Sequence, residues 1–113
     1  MKAFVIVEDN TEIAELQSLA LRDFASVELI TDNFQRCFLP ATWRGVDVVV
    51  CDLMLPGLDG EDILRYLARE FPHIKRVICT AKPTSMLVEL RPIADVILQK
   101  PFRVEAFVIS VIG

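Results

Sequence analysis

Four stretches of this chain run apolar and then stop at a residue with chemistry to offer. Ala3-Phe4-Val5-Ile6-Val7 meets Glu8-Asp9, Val46-Asp47-Val48-Val49-Val50-Cys51 meets Asp52, Arg76-Val77-Ile78-Cys79 meets Thr80-Ala81, and residues 95–98 lead into Gln99-Lys100-Pro101. Were these stretches neighbouring strands, three carboxylates, a hydroxyl and an ammonium would share one sheet edge. Acids that close repel one another and are tolerable only with a cation between them. Oxygen-only ligands point to a hard ion. Mg2+ (or Mn2+) suits a site that offers few carboxylates and completes its shell with water and phosphate oxygens. Lys100 then balances remaining charge and can reach a phosphoryl oxygen, and Thr80 can donate its hydroxyl to another. Taken singly, each is an ordinary residue past a strand end; the agreement of the four ends carries the reading.

Something must hold those ends together. Short β-rich runs occur at residues 3–7, 26–30, 46–51, 76–80 and 95–98, and the first, third and fourth are nearly all apolar, as for strands covered on both faces. Helical spacing fills the gaps. Thr11 is placed to cap a first helix with Ile13, Leu16, Ala20 and Phe24 as its core stripe. A second, about 33–43, carries Phe34 and Phe38 and is broken by Pro40. A third opens at Gly60-Glu61-Asp62, acids suited to the positive end of a helix dipole, and presents Ile63, Leu64, Leu67 and Phe71. A fourth runs from about Thr84 to Leu90, ended by Pro92, and a fifth follows Pro101-Phe102. This alternation predicts one domain over residues 1–113, an α/β doubly wound five-stranded parallel sheet with helices on both faces and its ligand at the strands' carboxyl ends.

Bulk properties narrow the function. With 113 residues, 53% hydrophobic, the chain affords a proper core. Its net charge of −4 argues against nucleic-acid binding through a basic surface. Five apolar residues cut off by Glu8-Asp9 do not make a signal peptide, and no run approaches the roughly 20 residues of a membrane span. The expectation is a cytoplasmic protein with no membrane partner. Cys37, Cys51 and Cys79 read as buried free thiols, and His73, beside Pro72, as a surface residue.

The ordered set Glu8-Asp9, Cys51-Asp52-Leu53-Met54-Leu55-Pro56-Gly57-Leu58-Asp59-Gly60, Thr80-Ala81 and Lys100-Pro101-Phe102 resembles the receiver domain of two-component response regulators, over essentially the whole chain. The resemblance implies the flavodoxin-like strand order 2-1-3-4-5. It implies that Asp52 becomes the acyl phosphate, that Glu8 and Asp9 hold Mg2+ directly or through water, and that Met54 ligates through its backbone carbonyl. Thr80 is then the switch hydroxyl and Lys100 the phosphate's partner, with a cis Lys100–Pro101 bond, a form taken by only about one X–Pro bond in twenty. The donor it implies is a phosphohistidine on a sensor histidine kinase or histidine phosphotransfer protein. The domain would catalyse only its own aspartyl phosphorylation and dephosphorylation, as a phosphoprotein in phosphorelay signalling. Ala14, Gln17, Ser18 and Leu21, opposite the first helix's core stripe, offer a docking face.

Three departures from the family pattern stand out. Glu8 takes the place of the commoner aspartate. Ile97, three residues before Lys100, takes the place of an aromatic that rotates inward when the threonine moves. Pro83 and Pro92 bracket the fourth helix. The fifth, Ala106-Phe107-Val108-Ile109-Ser110-Val111-Ile112, is apolar nearly all round and should be buried on more than one side, by a second copy in a homodimer or by a downstream output domain. A haloacid-dehalogenase-type phosphatase would want an aspartate two residues after the nucleophile, where Met54 stands. The four glycines form no phosphate-binding loop. A degenerate receiver, serving as a phosphorylation-independent interaction module, is the alternative that Ile97 supports.

Overall fold

Runs of consecutive buried side chains set up the sheet before any ligand is considered. In β1 (Lys2–Val7) and β3 (Val48–Cys51) consecutive residues are buried, because strands at the centre of a parallel sheet are covered on both faces. The computed structural model describes residues 1–113, the side chain of Thr84 excepted. Its main sheet is parallel and joins β2 (Ala25–Ile30), β1, β3, β6 (Lys75–Thr80) and β7 (Val96–Gln99) in that order, so the strand order 2-1-3-4-5 holds. Val5, Val7, Val49, Cys51 and Ile78 join one core layer; Phe4, Ile6, Val48, Val50, Val77 and Cys79 join the other.

The first layer is closed by α3 (Gly60–Glu70), a 3-10 turn at Phe34–Phe38 and α2 (Pro40–Trp43). Pro40 starts α2 at its first turn, where its missing N–H costs nothing. Trp43 is fully buried, its indole N–H donating to the Cys37 carbonyl at 2.8 Å. The expected fourth helix is instead two 3-10 turns, Thr84–Met86 and Val88–Ile93. Pro92 lies inside the second and has no N–H to extend an α-helical ladder.

The second layer is closed by α1 (Thr11–Leu21) and α4 (Val104–Ile112), and here the expected faces are reversed. Ala14, Gln17, Ser18 and Leu21 face the core, whereas Leu16 and Phe24 are 66% and 54% exposed. Size explains the reversal. Ala14 and Ser18 let the helix lie close over a layer already filled by Phe4, Ile6 and Phe107, where the bulkier stripe would not fit. The docking face expected at Ala14, Gln17, Ser18 and Leu21 is thereby ruled out, and the exposed apolar side is the one carrying Leu16. The cap also differs: Asn10, not Thr11, accepts the Ile13 N–H at 3.1 Å. α4 buries Phe107 and Val111 but leaves Val104 and Ile109 exposed, so within this chain it is covered on one side.

A feature not anticipated follows β3. β4 (Met54–Leu55) and β5 (Leu58–Asp59) form a small antiparallel hairpin around Pro56-Gly57. Gly57 has φ +67°, the left-handed conformation that glycine supplies after proline in a tight turn. The hairpin delivers Asp59, whose side chain caps α3 through the Glu61 N–H at 3.0 Å. Gly60 then donates its N–H to the Leu53 carbonyl at 2.9 Å. A Cβ on Gly60 would run into the Asp52 carbonyl oxygen and come within 2.9 Å of the Leu53 Cα. Gly60→Ala is therefore expected to cost about 1–3 kcal/mol by overpacking, read as a lower urea midpoint with an unchanged slope.

Candidate functional site

The parallel register brings four strand ends to one edge. Val7 pairs with Cys51, Cys51 with Ile78, and Thr80 with Gln99, so the residues after each strand emerge together. The ladder continues one step beyond the strands. Asp52 donates its N–H to the Val7 carbonyl at 3.0 Å, Glu8 to Ile30 at 3.1 Å, and Lys100 to Thr80 at 2.7 Å. The functional side chains thus sit on hydrogen-bonded backbone rather than on free loops. The Lys100–Pro101 bond is cis.

Lys100 joins two of the acids. Its Nζ donates to Glu8 Oε1 at 2.6 Å and to Asp52 Oδ2 at 3.0 Å. The second oxygens are also engaged: Asp52 Oδ1 accepts the Met54 N–H at 3.1 Å, and Glu8 Oε2 accepts the Asn10 N–H at 3.2 Å. Glu8 is 2% exposed and Asp52 9%, whereas Asp9 and the Met54 side chain face solvent. Burial raises the Glu8 carboxyl above its ordinary value, and the hydrogen bonds from Lys100 and Asn10 recover only part of that. For Lys100, burial is the largest single effect and pulls the ammonium down. The bonds and charges of Glu8 and Asp52 together outweigh it and leave the pKa raised, so Lys100 is firmly cationic.

Glu8, Asp9 and Asp52 each place an oxygen within 4.8 Å of the others. Opposite ligands of Mg2+ stand about 4.2 Å apart, so one ion fits with a small closing of the cluster. The charges agree with a divalent ion: three carboxylates against the one ammonium of Lys100 leave a formal −2.

Of the residues expected from the sequence, Glu8, Asp9, Asp52 and Lys100 meet as anticipated. Met54 stands two residues from Asp52 with its side chain turned out. Thr80 is fully buried at the same edge, where its hydroxyl oxygen accepts the Lys82 N–H at 3.2 Å. Ala81 is exposed beside Lys100 and lines an open cleft with Ile13, Pro101 and Phe102. Ile97, half-buried in β7, lines a separate cleft of about 430 Å³ with Leu87, Val88 and Arg91. All three cysteines are free and buried, and burial pushes Cys37 up to about 11 and Cys79 up to about 12. Such thiols stay protonated and have no part in the site. Asn10, which serves Glu8 and α1 at once, went unread in the sequence, and Gly60 was read as the start of α3 but not for its close approach to the Asp52 carbonyl. A helix-cap signal at Asn10 was there to be found.

The family pattern described as the response regulator receiver domain matches residues 4–111. The chain belongs to this family. Among curated relatives, this receiver is 31% identical over 107 residues to the probable transcriptional regulatory protein TcrX of Mycobacterium tuberculosis, covering 93% of this chain and 46% of that protein. It is 32% identical over 110 residues to the DNA-binding response regulator MtrA of Mycolicibacterium paratuberculosis, covering 95% and 48%. The receiver thus spans about half the length of these relatives. Among solved structures, a response regulator receiver domain from Clostridium thermocellum superposes with a TM-score of 0.83 at 23% identity, over 97% of this chain and 90% of that one. A BeF3-activated DrrB receiver domain gives 0.83 at 26%, over 96% and 92%. No helix among the described residues is long and apolar enough to cross a membrane.

Proposed function

We propose that this receiver takes a phosphoryl group onto Asp52 from the phosphohistidine of a histidine kinase or phosphotransfer protein, in a phosphorelay. One observation carries the reading: Asp52, in a cluster of three carboxylates, has its Oδ2 held 3.0 Å from the Lys100 ammonium. Asp9, Asp52, Glu8 and the Met54 backbone carbonyl would hold Mg2+, which when bound neutralises the phosphoryl oxygens. In the transfer an Asp52 oxygen bonds to phosphorus as the donor's P–N bond breaks and the leaving imidazole takes up a proton. Such transfer needs positioning and charge neutralisation more than covalent help. Lys100 supplies a cation already in place, and the β1 ladder fixes the nucleophile. Ala81 leaves the approach open, and Thr80 is the hydroxyl that moves onto the product. No outside substrate is turned over. The test is incubation with acetyl phosphate and Mg2+, read as a single phosphoryl mass by intact mass spectrometry.

The donor's docking site is best placed on the exposed apolar side of α1, where Ile13, Leu16 and Ala20 border Phe102 and Val104 across a cleft of about 150 Å³. TcrX is described as a transcriptional regulator and MtrA as DNA-binding. A downstream output domain or a second copy meeting the exposed Val104 and Ile109 of α4 fits that setting.

A phosphorylation-independent module remains the second reading, favoured by Ile97. A β-branched side chain is stiff at χ1 and has no ring to swing into space vacated by Thr80. On addition of beryllofluoride and Mg2+ the loop after β6 is expected to move while Ile97 keeps one rotamer. Methyl chemical shifts check this, and a changed χ1 population at Ile97 would contradict it.

A further inference from the structure

Lys82, at the start of the loop after β6, is held from two sides. Its N–H donates to Thr80 Oγ1 at 3.2 Å, and its carbonyl accepts from Gln99 Nε2 at 2.9 Å. Gln99 ends β7, where it pairs in register with Thr80. The backbone of Thr80 is fixed by the sheet, its carbonyl taking the Lys100 N–H at 2.7 Å. Any change beyond β6 must therefore begin at Ala81 and Lys82. Pro83, next in line, has no N–H with which to tie the loop down. A glutamine on the strand that stays thus grips the start of the segment free to move.

We infer that Gln99 is a positioning residue for Thr80: it latches Lys82, and through Lys82 keeps the Thr80 hydroxyl in its resting place until the site is filled. The inference rests on the reading of Thr80 as the hydroxyl that moves onto the phosphoryl group. Thr80 is fully buried, so as its oxygen moves no water is at hand to take its place beside Lys82. Either the Lys82 N–H is left unpaired in a part-buried position, which is costly, or Lys82 follows the hydroxyl. Following it pulls the Lys82 carbonyl off Gln99. On both routes the latch favours the resting arrangement. The Gln99 bond lies at the surface, so its net worth is small, a few-fold bias in the equilibrium. Where the arrangement that binds the phosphoryl group is the minor one, weakening the resting arrangement raises apparent affinity by the same factor.

The experiment compares wild type, Gln99→Met, Thr80→Val and the double variant. Methionine keeps the length of glutamine and carries no donor. Without metal, hydrogen exchange at the Lys82 amide should be about threefold faster in Gln99→Met than in wild type. With Mg2+ present, beryllofluoride should bind Gln99→Met about threefold more tightly than wild type. The side-chain amide resonances of Gln99 in wild type should move to the positions of a free glutamine as it binds. On the Thr80→Val background, Gln99→Met should leave beryllofluoride affinity unchanged, because the latch acts through a hydroxyl no longer there. Should methionine disturb β7, Gln99→Glu, an acceptor only, decides in the metal-free arm. Unchanged exchange at Lys82, Gln99 resonances that stay in place, or an affinity gain equally large on Thr80→Val overturns the inference. Undiminished beryllofluoride affinity in Thr80→Val alone would instead defeat the reading of Thr80 as the moving hydroxyl, while the metal-free exchange still judges the latch by itself.

Discussion

Asp52→Asn is expected to take up no phosphoryl group from acetyl phosphate and Mg2+ under conditions that bring wild type to a single adduct. The amide is nearly the same shape as the carboxylate but has no anionic oxygen to attack phosphorus. It also fits the surroundings badly. Asp52 accepts the Met54 N–H on one oxygen and the Lys100 ammonium on the other. An amide has one acceptor and one donor end, so one of those contacts becomes donor against donor. Glu8 then holds Lys100 alone. Exposed acids elsewhere, such as Asp62, belong neither to the carboxylate cluster nor to the ion pairs of Lys100, and none is expected to substitute for Asp52. Intact mass across a donor titration separates the outcomes: an adduct of equal yield on the variant would move the phosphoacceptor away from Asp52.

How far the sequence foretold this site depends on which physical signal each residue leaves. Strand ends are legible because fully buried parallel strands are apolar to the last residue, and the next residue announces itself by polarity. Val7 before Glu8 and Cys51 before Asp52 are such junctions. α3 was legible for the same reason, its apolar residues being confined to one stripe with acids at its start. α1 was not. It carries two apolar-compatible stripes, and periodicity ranks the one with Ile13, Leu16 and Phe24 first. Yet the side laid over Phe4 and Ile6 is the one with the small Ala14 and Ser18 at its centre and Leu21 at its end. Volume decides there, and volume is a property of the facing layer rather than of the helix. The same limit hid the β4–β5 hairpin, too short for any alternation, and the closeness of Gly60 to the Asp52 carbonyl. Lys100 was expected to meet phosphate; its bond to Glu8 depends on a span across the sheet that no local pattern encodes.

Asp9→Ala should separate metal binding from folding. Asp9 is exposed and adds one negative charge to a cluster whose formal excess is −2, so its removal takes half the charge that a divalent ion would neutralise. Mg2+ affinity then drops, and phosphorylation in millimolar Mg2+ should fall by about a hundredfold or more, the scale expected when a charge-neutralising group is lost. Stability in the absence of metal should move the other way or not at all. Without an ion, Asp9 lies close to Glu8 and Asp52, and like charges at that range disfavour the folded state. Wild type should gain about 2.7 kcal/mol when Mg2+ is about a hundredfold above its Kd, because only the folded state gathers the three acids. The variant should gain almost none of that. Urea unfolding of both proteins, with and without Mg2+, gives the four stabilities needed. A marked loss for Asp9→Ala without metal would make the acid cluster structural, and an undiminished Mg2+ gain in the variant would place the ion away from Asp9.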